Sequence, residues 1–381
     1  MQKPIIIIGT GLAGYQLARE LRKLDTNTPL LLITADDGTF YSKPLLSTAF
    51  TSGKTAASLA MSDAITMSGQ LQAEIRINTR VTRIDAKLQT IWIDHEALPY
   101  DKLVLACGAD TLKAPLQGDG AKDVISINSL HHYAAFQELI QNKKHITLLG
   151  AGLIGCEFAN DLSNAGLEVH VVAPVKAPLD LLVPTEVGVL LRDALAANGV
   201  HWHLPLTVTE VQKSPSGYHL RLSDDSYLDT HLVLSAIGLI PHLALAHTAH
   251  LSTQRGIVVN RYLETSSANI YALGDCAEVE GHVLPYITPL LSCTRALAKT
   301  LTGTRTAVEY PAMPVIVKTP VHPLAICPPP KGSSGTWQIE SDGKNVRALF
   351  YNEKKQLLGF VLTNEAVKER MALAKQLPAL F

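Results

Sequence analysis

Two glycine-rich turns carry the clearest chemistry in this sequence: Gly9-Thr10-Gly11-Leu12-Ala13-Gly14 and Gly150-Ala151-Gly152-Leu153-Ile154-Gly155. In a G-x-G-x-x-G turn the first glycine permits a sharp bend, the second lets the backbone approach a pyrophosphate, and the third lets a helix pack closely on a strand. The helix that follows aims its first amides at the anion. A single such turn is weak evidence. Two in matching context predict that one chain holds two dinucleotides.

The elements that must position these turns are legible on either side of them. The aliphatic runs 5–8 and 146–149 read as buried strands, and residues 15–24 and 156–165 carry helical patterns. Residues 30–34 form a second parallel strand that ends at Ala35-Asp36-Asp37, where an acid suits a ribose hydroxyl pair. Alternation through 76–94, including Ile77, Val81, Ile84 and Ile91, predicts inserted antiparallel strands, and 103–106 returns to the sheet before Cys107-Gly108. The second half repeats this plan through 169–172, 208–222 and 232–236. Beyond Pro241 come a short strand ending in Gly274-Asp275-Cys276 and an apolar helix from about Pro289 to Leu301. A proline-rich stretch near 310–330 then leads into alternating segments and a closing helix over 364–375. The fold class is therefore α/β, with two Rossmann-like, doubly wound parallel-sheet domains and a small α+β C-terminal domain. The expected boundaries are 1–111 with 239–308, then 112–238, then 309–381.

Composition narrows the function. A chain of 381 residues, 47% hydrophobic, can bury more than one core. A formal net charge of −1 argues against a general nucleic-acid or acidic-membrane binder. The five cysteines form no CxxC pair and no metal-ligand spacing, which suggests structural thiols in a reducing compartment. The first strand starts too early for a secretory leader, and no apolar run approaches the length of a membrane span, so a cytoplasmic protein without membrane insertion is expected.

Several strings are long and specific: Ile33-Thr34-Ala35-Asp36-Asp37-Gly38, Tyr41-Ser42-Lys43-Pro44-Leu45-Leu46-Ser47, GAGLIGCEFAND from Gly150 to Asp161, YALGDCAE from Tyr271 to Glu278, and MPVIVKTP from Met313 to Pro320. On these the chain resembles pyridine-nucleotide flavoprotein reductases over its whole length, and more narrowly the rubredoxin reductases, which pass NADH electrons through FAD to rubredoxin. The resemblance assigns Gly9, Thr10, Gly11, Leu12 and Gly14 to the FAD pyrophosphate, and Gly150, Gly152 and Gly155 to NADH. It places Asp36 on the adenosine ribose, where turn chemistry alone offers a solvated carboxylate instead. It brings the Val81 backbone to the adenine, although a bare valine is most often core. It sets Asp275 on the ribityl chain, a role compatible with capping a helix before Cys276. Ile287 and Thr288 would precede a helix whose amides face the pyrimidine end of the flavin.

Two lysines and one acid carry open alternatives. Lys43 stands where many relatives have arginine, and Thr48 where they have a lysine. Lys318, within Val315-Ile316-Val317-Lys318-Thr319-Pro320, either snorkels or serves a site; the resemblance favours the flavin edge. Glu157 is either an exposed helix acid or the partner of a lysine near the nicotinamide or flavin N5.

A flavin demands no side-chain acid or base for hydride transfer, so no catalytic residue in the strict sense is expected. Disulfide reductases of the broader group carry a redox CxxC or CxxxxC, the peroxidase and oxidase branch carries one cysteine shortly after the second strand, and residues 36–60 here contain none. Electrons would then leave the flavin directly, toward a small protein acceptor or a diffusible oxidant; the resemblance implies rubredoxin, feeding an alkane-oxidising system. The rivals are a reductase of flavorubredoxin or of an oxygenase ferredoxin, an NADH-sensing interaction protein, and a non-redox scaffold. The usual NAD-selective acid is replaced by Ala173-Pro174, and Lys176 alone is a weak grip on a 2′-phosphate, so the residues leave NADH against NADPH open while the resemblance favours NADH. His201-Trp202-His203 and His131-His132 show no third ligand in sequence, and no metal is expected. An acidic partner predicts a basic rim including Lys43 and Lys318.

Overall fold

Strand Ile5–Ile8 is buried along its whole length, as a central strand covered on both faces must be. The computed structural model describes residues 2–381. The first strand pairs in parallel with Leu30–Ile33 on one side and Lys102–Leu105 on the other. Ile270–Ala272 and Glu74–Arg76 complete a five-stranded parallel sheet. The first glycine turn leads from the central strand into helix Leu12–Leu24, which buries Tyr15, Leu17, Ala18 and Leu21. Helix Ile287–Leu301 packs beside it. These elements, with the antiparallel strands Arg83–Asp85, Thr90–Ile93 and Glu96–Pro99, belong to one compact unit of Met1–Ser42, Ala60–Asp110 and Leu239–Tyr310.

The second compact unit comprises Lys43–Leu59, Thr111–Gly238 and Pro311–Phe381. Its parallel sheet has the order Val200–His203, Glu168–Val172, His145–Leu149, Leu232–Ser235. A meander of Val208–Ser214, Gly217–Leu222 and Tyr227–Thr230 supplies Val211, Leu220 and Leu222, which pack with Leu149, Val172 and Val233. Residues 311–381 contribute a five-stranded antiparallel sheet, with Phe360, Leu362 and Leu349 buried against Leu373 and Ala374.

Four local expectations differ from the structure. Ile77 and Val81 lie outside the strands, between Glu74–Arg76 and Arg83–Asp85. Ile287 and Thr288 are the first two residues of their helix instead of preceding it, and Pro289 takes the third position, where its missing N–H costs nothing because that donor has no intrahelical partner. The closing helix divides into a tight 3₁₀ segment, Asn364–Glu369, and a short α-helix, Arg370–Ala374. Strand Val315–Val317 ends one residue before Lys318, whose N–H leaves the ladder to meet a carboxylate.

Candidate functional site

In the first unit the glycine turn divides into positions that the protein itself needs and one that it leaves open. A Cβ on Gly9 would stand 2.2 Å from the Ala106 carbonyl oxygen, at φ +111°, and a Cβ on Gly14 would stand 1.9 Å from the Gly9 carbonyl oxygen. At Gly11 a Cβ would meet nothing within 4 Å. Packing therefore explains Gly9 and Gly14, whereas the bare face at Gly11 fits a ligand. Gly11 is the N-cap of Leu12–Leu24 and offers no side-chain cap, so the first amides of the helix are left for an anion. A dinucleotide pyrophosphate fits this cradle.

Asp36 is exposed, and three donors converge on its Oδ1: Thr34 Oγ1 at 2.6 Å, the Gly38 N–H at 3.0 Å and Thr10 Oγ1 at 3.4 Å. Tyr15, whose hydroxyl donates to the Gly38 carbonyl at 2.5 Å, has its pKa pushed up to about 12 by burial and then by Asp36. Val81 is buried. Asp275 sits in the 3₁₀ turn Gly274–Cys276, whose N-cap is Leu273, so the carboxylate does not cap that turn. The helix Ile287–Leu301 also starts without a side-chain cap, with Ile287 and Thr288 exposed at its tip.

The second unit repeats the cradle. A Cβ on Gly150 would crowd Ala236 at 2.8 Å, one on Gly155 would lie 2.1 Å from the Gly150 carbonyl oxygen, and one on Gly152 would meet nothing within 4 Å. Gly152 caps Leu153–Asn164 without a side chain. Beyond this cradle the same helix turns three polar residues inward at helical spacing, Glu157, Asn160 and Asp161, exposed by 3%, 1% and 5%. These figures exclude the reading of Glu157 as an exposed helix acid. Glu157 Oε2 pairs with Lys318 Nζ at 2.9 Å and accepts from Ser47 Oγ at 2.5 Å, while Oε1 accepts the Lys318 N–H at 3.1 Å. Lys318 Nζ also donates to the Pro44 carbonyl and, at 3.3 Å, to Ser47 Oγ. Asp161 accepts the Phe50 and Thr51 N–H groups at 2.8 and 3.2 Å, and Asn160 accepts the Val321 N–H at 3.2 Å. Burial raises the Asp161 pKa above the ordinary carboxylate value against the pull of its hydrogen bonds.

One helix thus clasps segments 43–51 and 318–321. The cavity beside it, about 390 Å³, is lined by Thr48, Thr51, Asn160, Asp161 and Lys318 among others. Lys43 opens the 3₁₀ segment Lys43–Thr48 of this clasp. Ser47, Asn160 and Asp161 were not singled out from the sequence, although polar residues at 157, 160 and 161 on the buried face of an otherwise apolar helix are the signal that finds them.

All five cysteines are free, and burial pushes each thiol up, to about 11 at Cys276, Cys293 and Cys327. A thiol held in its protonated form is a poor nucleophile.

With two nucleotide cradles on parallel sheets in place, the comparisons with known proteins agree with the geometry. Residues 3–300 match the pyridine nucleotide-disulphide oxidoreductase family, and the chain belongs to it. Residues 307–377 match a rubredoxin binding C-terminal domain. The chain is 48% identical over 378 residues to a rubredoxin-NAD(+) reductase of Alcanivorax borkumensis, covering 99% of both chains. It is 39% identical over 382 residues to a nitric oxide reductase FlRd-NAD(+) reductase of Aliivibrio fischeri, again covering 99% of both. Among solved structures, a ferredoxin reductase from Rhodopseudomonas palustris superposes with a TM-score of 0.88 at 26% identity, over 97% of this chain and 93% of that one.

Proposed function

We infer that this protein is an FAD-dependent reductase that oxidises NADH and delivers electrons to rubredoxin, supplying an alkane-oxidising system. The observation that carries this reading is the match of residues 307–377 to a rubredoxin binding domain, on a chain that also holds two open glycine cradles. FAD held there would supply the conversion of a hydride from the nicotinamide into single electrons. The protein's task is to hold, orient and shield.

Gly9, Thr10, Gly11, Leu12 and Gly14 are assigned to the FAD pyrophosphate, with Asp36 on its ribose, Val81 beside the adenine, Asp275 on the ribityl chain, and Ile287 and Thr288 toward the pyrimidine end of the flavin. Gly150, Gly152 and Gly155 are assigned to NADH. Lys43, Glu157 and Lys318 are proposed as cofactor-side groups of the second unit, on the strength of the family resemblance and of the buried ion pair. The proposed domains are 1–111 with 239–308 for FAD, 112–238 for NADH and 309–381 for the C-terminal domain.

Residues 307–377 carry nine Lys and Arg against six Asp and Glu, a formal +3 in a chain of −1 overall. That excess suits an acidic iron protein. Among the described residues no helix is long and apolar enough to cross a membrane. The cytoplasm is the proposed compartment, where NADH is supplied and five free thiols stay reduced.

The experiment is anaerobic: NADH, catalytic protein and oxidised rubredoxin are mixed, and bleaching of the rubredoxin iron band is followed. Stoichiometric bleaching supports the reading. Flavin reduction without rubredoxin reduction, while a [2Fe–2S] ferredoxin is reduced, overturns it. The second reading, a flavorubredoxin reductase, is favoured by the 39% identity to the Aliivibrio protein, and faster reduction of flavorubredoxin in the same assay would establish it.

A further inference from the structure

The sequence offered His201 and His203 no third metal ligand, but strand register supplies two more donors. In the parallel sheet of the second unit His145 stands beside Glu168, and His170 beside His201. Side chains two apart on a strand share a face, so His145, Glu168, His170, His201 and His203 all project from one side of three adjacent strands. Farther along, the same face carries Leu149 and Val172, which the meander covers. Short of that cover the aliphatic residues give way to imidazoles and a carboxylate.

We propose that this edge is a binding site for one borderline divalent transition cation, such as zinc, held by Glu168, His170 and His201. One donor atom from each of these residues lies within 4.8 Å of the others. Zinc bonds of about 2.0–2.2 Å need these atoms to draw closer, and Glu168 and His201 are exposed and able to turn. The supporting contacts already orient the ligands. Without a metal, His170 Nε2–H donates to Glu168 Oε1 at 3.1 Å, and Nδ1 lies 2.9 Å from His203 Nε2; a cation would displace the Nε2 proton, with the Nδ1-protonated tautomer then donating to His203. The other oxygen of Glu168 is held by His145 Nδ1 at 2.9 Å. Ligands whose second atom is fixed by a neighbouring group are the pattern of protein metal centres. Two imidazoles with one carboxylate select zinc, nickel, cobalt or copper over magnesium and calcium, which prefer all-oxygen sets. A three-ligand set also leaves a coordination position for water or an external ligand.

The site is independent of the reductase reading, and its test does not use turnover. Untagged, flavin-loaded protein is stripped with chelator and dialysed against micromolar zinc, and bound metal is counted by mass spectrometry. One zinc per chain is expected, with affinity falling about tenfold or more in H170A, H201A and E168Q, and by a similar factor in H203A, which removes only the orienting partner. H250A, a histidine in the other unit, is the control and should bind as the wild type does. Circular dichroism checks that each variant is folded; H201A alters an exposed side chain and keeps the test open if H170A does not fold. No zinc retained, or equal binding by the wild type, H201A and E168Q, overturns the proposal.

Discussion

Removing the Glu157 carboxylate tests the clasp of the second unit directly. At 2.9 Å from Lys318 Nζ, with an effective dielectric near 20, the attraction is about 6 kcal/mol before desolvation. Desolvation of a carboxylate that is 4% exposed offsets much of this, while the lysine, 33% exposed, keeps part of its hydration. Loss of one partner from a fully buried pair costs about 3–5 kcal/mol. With the lysine partly hydrated, E157A should cost about 2–3 kcal/mol. E157Q keeps one carbonyl oxygen, which can accept from Ser47 or from the Lys318 N–H but not at both positions, and should cost about 1–2 kcal/mol. K318M strands a buried anion and should cost at least as much as E157A. The assay is urea unfolding of E157A, E157Q, K318M and the E157Q/K318M double variant, followed by circular dichroism and by fluorescence. A coupling energy of about 1 kcal/mol or more in the cycle is expected. Purely additive losses, or E157A as stable as the wild type, would refute the argument that this pair holds 43–51 and 318–321 to the helix.

Three further outcomes follow from the geometry. G11A should melt like the wild type, because its Cβ meets no protein atom within 4 Å, yet lose flavin on dialysis if the proposed pyrophosphate site is right; G9A should lose about 1–3 kcal/mol from backbone strain alone, and equal melting of the two would defeat the distinction. His322, 7% exposed, has its pKa lowered from 6.5 by burial, so the folded protein keeps it neutral where the unfolded chain takes a proton. Its contribution is full above pH 6.5 and is lost as pH falls through the lowered value; the stability gap between the wild type and H322Q should therefore narrow from about pH 7.5 to about 5, and a gap constant with pH would contradict this. Turnover with rubredoxin should lose about tenfold or more in kcat/KM from low to high ionic strength, while NADH-to-ferricyanide turnover changes little; salt-independent rubredoxin rates would remove the basic C-terminal domain from the docking argument.

What the sequence made legible was local. Each glycine turn, the aliphatic strand before it and the helix after it are contiguous, so motif and periodicity find them together. The clasp is different in kind: Lys318 and Glu157 lie 161 positions apart, and no spacing rule joins them. What was visible, three polar residues on an inward helical stripe, shows only that something must satisfy them. The imidazole edge is hidden for a related reason, because His170 comes beside His201 only through the pairing of Glu168–Val172 with Val200–His203. Val81 fell outside a strand since alternation alone does not reveal where a ladder stops. Pro289 marks the start of Ile287–Leu301 only approximately, because a helix tolerates proline anywhere among its first unpartnered amides.

The division of the chain has a consequence for how the molecule is made. Each unit draws on three separate stretches, and the second is finished only by its last seventy or so residues. During synthesis Glu157 leaves the ribosome long before its lysine exists, and at about 5–20 residues per second that carboxylate waits for roughly 10–30 s. Nascent chains stalled ahead of Lys318 should therefore recruit chaperones through the exposed helix Leu153–Asn164, and full-length chains should release them.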